Sequence, residues 1–458
     1  MRPASLLELT IEEAAASIAS RKVSPVELVE AALRQIEAVD GRLRGFITVL
    51  ADSALEAAHA AEVQAQRREP LPPLHGIPLA VKDNIFTVGV RTTAGSKILA
   101  DFVPDADAPV VAALKERGAI ILGKTNLHEF AWGGTTDNPH YGTTRNPWNT
   151  DRFPSGSSGG SAVAVAAREC WGALGTDTAG SIRVPAAVNG VVGLRPTIGR
   201  VSCDGIVPLA WSMDTVGPLC RTAGDCALLF ATIAGVDPSP AGRNARGLRI
   251  GVDEAHCFDH VQPAVAASVR TAVSALEAAG AKAVPIRLPD MQGNVSAELT
   301  VTSAEASTYH QRWLRERPDD YGDDVRTALE AGELYLATHY LQAQRYRQLF
   351  RDAMLKVFDQ VDGVLSPSLP FVAPPIGETQ VVIAGDRPEP MMASVNQFTG
   401  IASLAGLPAI SIPCGFSPEG LPIGLQMVAR PFEEATLLRL GEAYQALTDW
   451  HRRTPPLA

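Results

Sequence analysis

The chain has 458 residues, 46% of them hydrophobic and 20% charged, enough apolar material for a large buried core. Its formal net charge of −10 comes without any block of Lys or Arg, which argues against direct contact with a nucleic-acid backbone or an anionic membrane. The amino terminus lacks the apolar stretch of a secretory signal, no run is long enough to span a bilayer, and the six cysteines stand singly, so a reducing cytoplasm is expected.

From residue 11 to about 68 apolar side chains recur at helical spacing, and Ser24-Pro25-Val26-Glu27 reads as a capping box with Pro at the first helical position. Residues 1–68 are therefore expected as a helical segment preceding a catalytic domain over 69–458. Short apolar runs at 77–81 and 119–122 predict strands between loops rich in Gly, Thr and Asn. Strands at 248–250 and 283–286 flank a helical pattern over 261–279, and a helical insertion is expected over about 295–360. Strand-like runs at 362–370 and 408–413 and a helix near 433–447 close the chain. With no internal repeat or low-complexity linker, these elements predict a single large α/β unit.

Two motif matches fail on context. Gly118 to Thr125 fits the phosphate-loop expression, but its variable positions are themselves the predicted strand. Gly156-Ser157-Ser158-Gly159-Gly160 fits a nucleophile elbow centred on Ser158, yet the downstream His256, His260, His310, His339 and His451 carry no motif of their own. His256 and His260 flank Cys257 without a third ligand nearby, so neither a metal nor a cofactor is expected. The small residues at 155–161 run into Ala162-Val163-Ala164-Val165-Ala166-Ala167, which predicts a buried element approached closely by backbone. In the stretch from Leu174 to Pro185, the amides of Thr178, Ala179, Gly180 and Ser181 are placed to converge on an oxyanion.

These pieces together resemble the amidase signature family. The resemblance runs through Val81-Lys82-Asp83-Asn84, Ser155 to Ser161, Gly175 to Arg183, Gly123-Lys124-Thr125-Asn126, Thr144 to Asn149, and Gly406 to Pro413, nearly the whole chain. It implies an α/β amidase signature fold, a large mixed β-sheet covered by helices on both faces. It further implies a Ser-cisSer-Lys relay of Lys82, Ser157 and Ser181, with Ser158 in support and Asp177 paired with Arg183 to shape the nucleophile loop. Ala131 and Trp132 fall where the family borders its acyl pocket. Ser155 and Ala179 depart from glycines common in the family, which bears on the substrate.

The expected function is a free-standing amidohydrolase cleaving a carboxamide, anilide, carbamate or urea-like C–N bond of a small molecule, working as a homodimer without direct nucleic acid or membrane partners. One alternative is the glutaminase component of an aminoacyl-tRNA amidotransferase, which Tyr141 to Asn149 also resembles. Residues 391–399 lack the tyrosine and acidic residue expected of that component. The other alternative is a catalytically inactive binding scaffold, disfavoured because all three relay positions are filled.

Overall fold

Capping boxes set the first two helices: Thr10 and Glu13 open Ile11–Ala19, and Ser24 and Glu27 open Pro25–Leu43, with Pro25 in the first turn. The computed structural model describes residues 6–67, 69–237 and 244–457. The expected all-helical segment is interrupted. Phe46–Val49 is strand β1, which pairs antiparallel with a later strand at one edge of the main sheet. Four residues with one polar member are too short to register as alternation.

Twelve further strands follow in chain order: β2 Pro78–Lys82, β3 Ile120–Thr125, β4 Gly172–Asp177, β5 Val192–Arg195, β6 Thr215–Cys220, β7 Arg249–Val252, β8 Lys282–Pro285, β9 Gly363–Pro367, β10 Gln380–Val382, β11 Pro388–Pro390, β12 Ala409–Phe416 and β13 Pro422–Ala429. Eleven form one mixed sheet in the order β1-β3-β2-β4-β6-β5-β12-β13-β9-β7-β8, and β10 with β11 makes a separate pair. β2 through β6, β9 and β13 are buried along their whole length, as in a sheet covered on both faces. Because β7, β8 and β9 join the same sheet as β1 to β6, the chain is one large α/β domain.

The sheet positions chemistry through a parallel triplet. β3, β2 and β4 run parallel, so their carboxyl ends, Lys82, Thr125 and Asp177, emerge on one side. The helix Gly159–Ala166 packs behind them with every residue buried, which answers the Ala/Val run. The insertion comprises helices Asn294–Glu316, Asp323–Gly332 and Ala337–Val357. Its first helix and the start of Gly400–Ala405 line the same opening as Thr178, Ala179 and Ser181 just beyond β4.

Candidate active site

Lys82 ends β2 completely buried, where a charged ammonium is costly. Its Nζ donates to Ser157 Oγ at 2.7 Å and to Thr176 Oγ1 at 2.8 Å. Burial pushes its pKa down to about 7 against the opposing pull of Asp214 and Asp177. A lysine in this state supplies a neutral amine near neutral pH, which a solvated lysine does not.

Ser157 is buried in a loop whose Gly156–Ser157 peptide is cis. A Cβ on Gly156 would lie 2.9 Å from Gly133 O and from the amides of Thr135 and Thr136, so only glycine lets the two loops touch. Ser155 holds φ +56°, a left-handed conformation that explains the glycine common at this position. Ser158 sits at the N-cap of the following helix without a side-chain capping bond; its hydroxyl accepts from Thr176 N at 3.3 Å and donates to Thr176 O at 3.1 Å, and its amide donates to Ser181 O at 3.1 Å. It bridges the two loops.

The nucleophile loop leaves β4 at Asp177 and turns into the helix Arg183–Asn189. Asp177 accepts from Arg183 Nε and Nη2, both at 3.0 Å, and from Arg195 Nη1 at 2.9 Å. Burial alone would raise the Asp177 carboxyl, but the two guanidiniums hold it far below the ordinary carboxylate range. Ile182 N donates to Asp177 Oδ2 at 3.2 Å, whereas the amides of Thr178, Ala179, Gly180 and Ser181 meet no protein acceptor among the described residues. Four consecutive uncommitted amides are the donors an oxyanion needs. Ala179 is not among the residues with positive φ, so its methyl is accommodated; Gly180, at φ +147°, is the position that requires glycine.

Thr178, Ala179, Ser181 and Gly156 line a cavity of about 560 Å³ together with Ala131 and Trp132. Phe130 and Ala131 take left-handed φ values of +49° and +61° in a short turn that brings Trp132, half-buried, to the cavity. Ser181, the amides and the tryptophan line one opening, whereas Lys82 and Ser157 are fully buried beside it and among the described residues no hydrogen bond joins the Ser157 and Ser181 hydroxyls.

Several residues here had no motif to announce them. Thr176 is the second partner of Lys82. Asp214 accepts from Thr178 Oγ1 at 2.5 Å and from the amides of Leu209 and Ala210, with its carboxyl raised to about 6 by burial. Glu298 reaches the cavity from the first insertion helix. Lys124, from the discarded phosphate-loop match, ends up inside β3, buried, 3.4 Å from the Asp83 carboxylate. His256, which no sequence motif marked as a site, is half-buried on the cavity wall in T-shaped contact with Phe398, while His260 pairs with Glu389 at 2.9 Å. Among the described residues no group of three His, Cys, Asp or Glu could hold a metal, and no helix is long and apolar enough to cross a membrane.

The family model described as Amidase matches residues 27–438. The A subunit of glutamyl-tRNA(Gln) amidotransferase from Roseiflexus sp. (strain RS-1) is 42% identical over 491 aligned positions, covering 99% of each chain. A solved structure described as "An unexpected vestigial protein complex reveals the evolutionary origins of an s-triazine catabolic enzyme" superposes with a TM-score of 0.90 at 37% identity, covering 96% of this chain and 98% of that one. The crystal structure of the corresponding A subunit from Thermotoga maritima superposes at 0.78 with 34% identity, covering 96% and 94%. The expected partner, a small-molecule amide with no nucleic acid, is overturned by these full-length relatives, named as subunits of an enzyme for glutamyl-tRNA(Gln). The acidic balance describes one chain's surface and says nothing of surfaces that other subunits supply in those relatives' enzyme. The chain belongs to the amidase signature family, hydrolases acting on carbon–nitrogen amide bonds.

Proposed function

We propose that this chain is the ammonia-releasing component of an amidotransferase, hydrolysing the side-chain amide of glutamine through an acyl-enzyme at Ser181 and working beside companion subunits. The observation that carries the reading is its agreement, over 99% of both chains, with the Roseiflexus amidotransferase component. In the proposed relay, neutral Lys82 takes the proton of Ser157 while Ser157 takes that of Ser181. Ser181 Oγ bonds to the amide carbon, and the carbonyl electron pair moves to oxygen, held by the amides of residues 178–181. Collapse re-forms the carbonyl and breaks the C–N bond; the relayed proton leaves with the nitrogen as ammonia. Water then attacks the ester by the same route, releasing the acid and restoring the Ser181 hydroxyl.

The test is ammonia release from glutamine by the purified chain and by its complex with co-purifying subunits. Ser181→Ala should abolish release while leaving the fold intact. A serine-directed fluorophosphonate should label the wild type and spare this variant, and labelling at Ser158 instead would overturn the relay.

A second reading, a free-standing amidohydrolase for a small uncharged or cationic amide, is favoured by one specific observation. Among the described residues no Lys or Arg lines the cavity, although the α-carboxylate of glutamine calls for a cation. The closer superposition on the s-triazine-related structure points the same way. Turnover of neutral amides or ureas without companions, and none of glutamine with them, would select this reading.

A further inference from the structure

Asn294, Glu298 and Thr302 are spaced four apart on the first insertion helix, Asn294–Glu316, and so share one face, which lines the cavity that also holds Ser181. Glu298 is buried, its Oε1 accepting from Asn396 Nδ2 at 3.0 Å. Its Oε2 accepts no hydrogen bond among the described residues and lies beside Gly400, where a Cβ would approach it to 2.9 Å. Thr302 is more than nine-tenths buried, and its Oγ1 has no hydrogen-bond partner among the described residues; Nε2 of His256, on the same cavity wall, has none either. Side-chain hydroxyls in mid-helix ordinarily bond back to the carbonyl four residues earlier, and Thr302 does not. Buried polar groups left unpaired cost about 1–3 kcal/mol each, so Thr302 Oγ1 and His256 Nε2 on one wall require an explanation, and Glu298 Oε2 beside them lacks a protein donor among the described residues. Around them the cavity is lined by apolar side chains, including Leu299, Met392 and Ile401, and among the described residues by no Lys or Arg.

We infer that Glu298, Thr302 and His256 form a recognition site for an N–H-bearing group, ammonium or ureido, at the far end of the amide substrate's acyl portion. The inference rests on the reading of Ser181 as the nucleophile only in supposing that this cavity receives the amide. The carboxylate accepts from the N–H group, Thr302 Oγ1 offers a second acceptor, and Nε2 of His256 completes the set as its tautomer dictates. Burial pushes the Glu298 carboxyl up to about 7, with Asn396 and Arg183 opposing, a cost that a cationic or N–H-rich ligand offsets. The helical insertion then selects the substrate while the sheet supplies the reaction. Glu298 is a specificity residue in this scheme and takes no part in the proton relay.

The experiment uses three primary amides of matched length whose far ends carry an ammonium, a ureido or a methyl group. Each is titrated calorimetrically into the full-length Ser181→Ala protein, which reads binding without turnover, and kcat/KM is measured with the intact nucleophile. The N–H-bearing amides should bind at least about tenfold more tightly than the methyl-ended one, and Glu298→Gln should remove that preference while changing the methyl-ended amide by less than about twofold. A loss confined to the ammonium arm identifies an ammonium ligand; comparable losses in both arms identify a ureido one. Thr302→Val, nearly isosteric, should weaken the N–H arms alone and serves if Glu298→Gln does not fold. Equal losses across all three amides, or an unchanged preference in both variants, overturn the inference. Binding selectivity without turnover in the intact protein would instead count against the Ser181 mechanism and leave the recognition site standing.

Discussion

Lys82 is held where its charge is least welcome, and its partners are hydroxyls rather than carboxylates. Because burial lowers its pKa to about 7, the neutral amine forms as pH rises. Hydrolysis should accordingly increase with pH and level off above an apparent value near 7 that belongs to the coupled lysine and serines. Lys82→Arg should be as inactive as Lys82→Ala, a loss of at least roughly 10²–10⁴-fold, since a guanidinium keeps its proton. A flat profile across this range, or an active arginine variant, would show that Lys82 acts as a fixed cation. The sequence singled out Lys82, Ser157 and Ser181 because each lies within a run of several defined neighbours. Thr176 and Glu298 were not singled out: a single threonine in a strand and a single glutamate on an amphipathic helix look the same whether they face a cavity or solvent.

The nucleophile loop is shaped by charge. Asp177 holds two buried guanidiniums, and Arg183 also donates to Thr399 O at 2.9 Å, Gln426 Oε1 at 2.7 Å and Ser403 Oγ at 2.9 Å. Asp177→Asn removes the countercharge from both arginines. It should destabilise the protein by about 3–5 kcal/mol in denaturant unfolding and abolish probe labelling of Ser181; a loss below about 1 kcal/mol would mean that water reaches and screens these arginines. The capped helices and the amphipathic 263–278 helix could be read from sequence because one face alternates with solvent. β4, β5, β6 and β13 could not, because strands buried on both faces lose the alternation that marks a strand.

At the scale of the molecule, the helical amino-terminal region is joined to the sheet by β1, and beside it half-buried Asp40 and buried Glu169 flank Gly45. Glu169 has neither carboxyl oxygen hydrogen-bonded among the described residues, and burial followed by the nearby Asp40 raises it well above the ordinary value of 4.5. Burial also raises Asp40, to about 6, with the Gly45 and Phe46 amides opposing. A raised carboxyl binds its proton more tightly in the folded than in the unfolded state. Its favourable contribution is therefore complete at acid pH and lost as pH rises from the unfolded value through the folded one. Glu169→Gln should gain stability relative to wild type above pH 4.5, by up to about 1.4 kcal/mol per pH unit until the folded group titrates. Denaturant unfolding of both proteins at pH 5, 7 and 8.5 checks it, and a constant difference would exclude titration of Glu169 as the cause.

The reach of Arg183 to Thr399, Ser403 and Gln426 also sets a timetable for the chain's synthesis. The guanidinium that orders the nucleophile loop waits for acceptors as many as 243 positions further on, which at ribosomal rates is roughly 12–50 s of elongation. Until then Arg183 has Asp177 alone, and the serine loop lacks its far anchor. On the role proposed for Ser181, a nascent chain is thus a latent enzyme whose serine matures at the end of translation. Ribosome-arrested chains stopped before residue 399 should resist the fluorophosphonate probe, and chains released at full length should react; early labelling would show that the amino-terminal half organises the loop unaided.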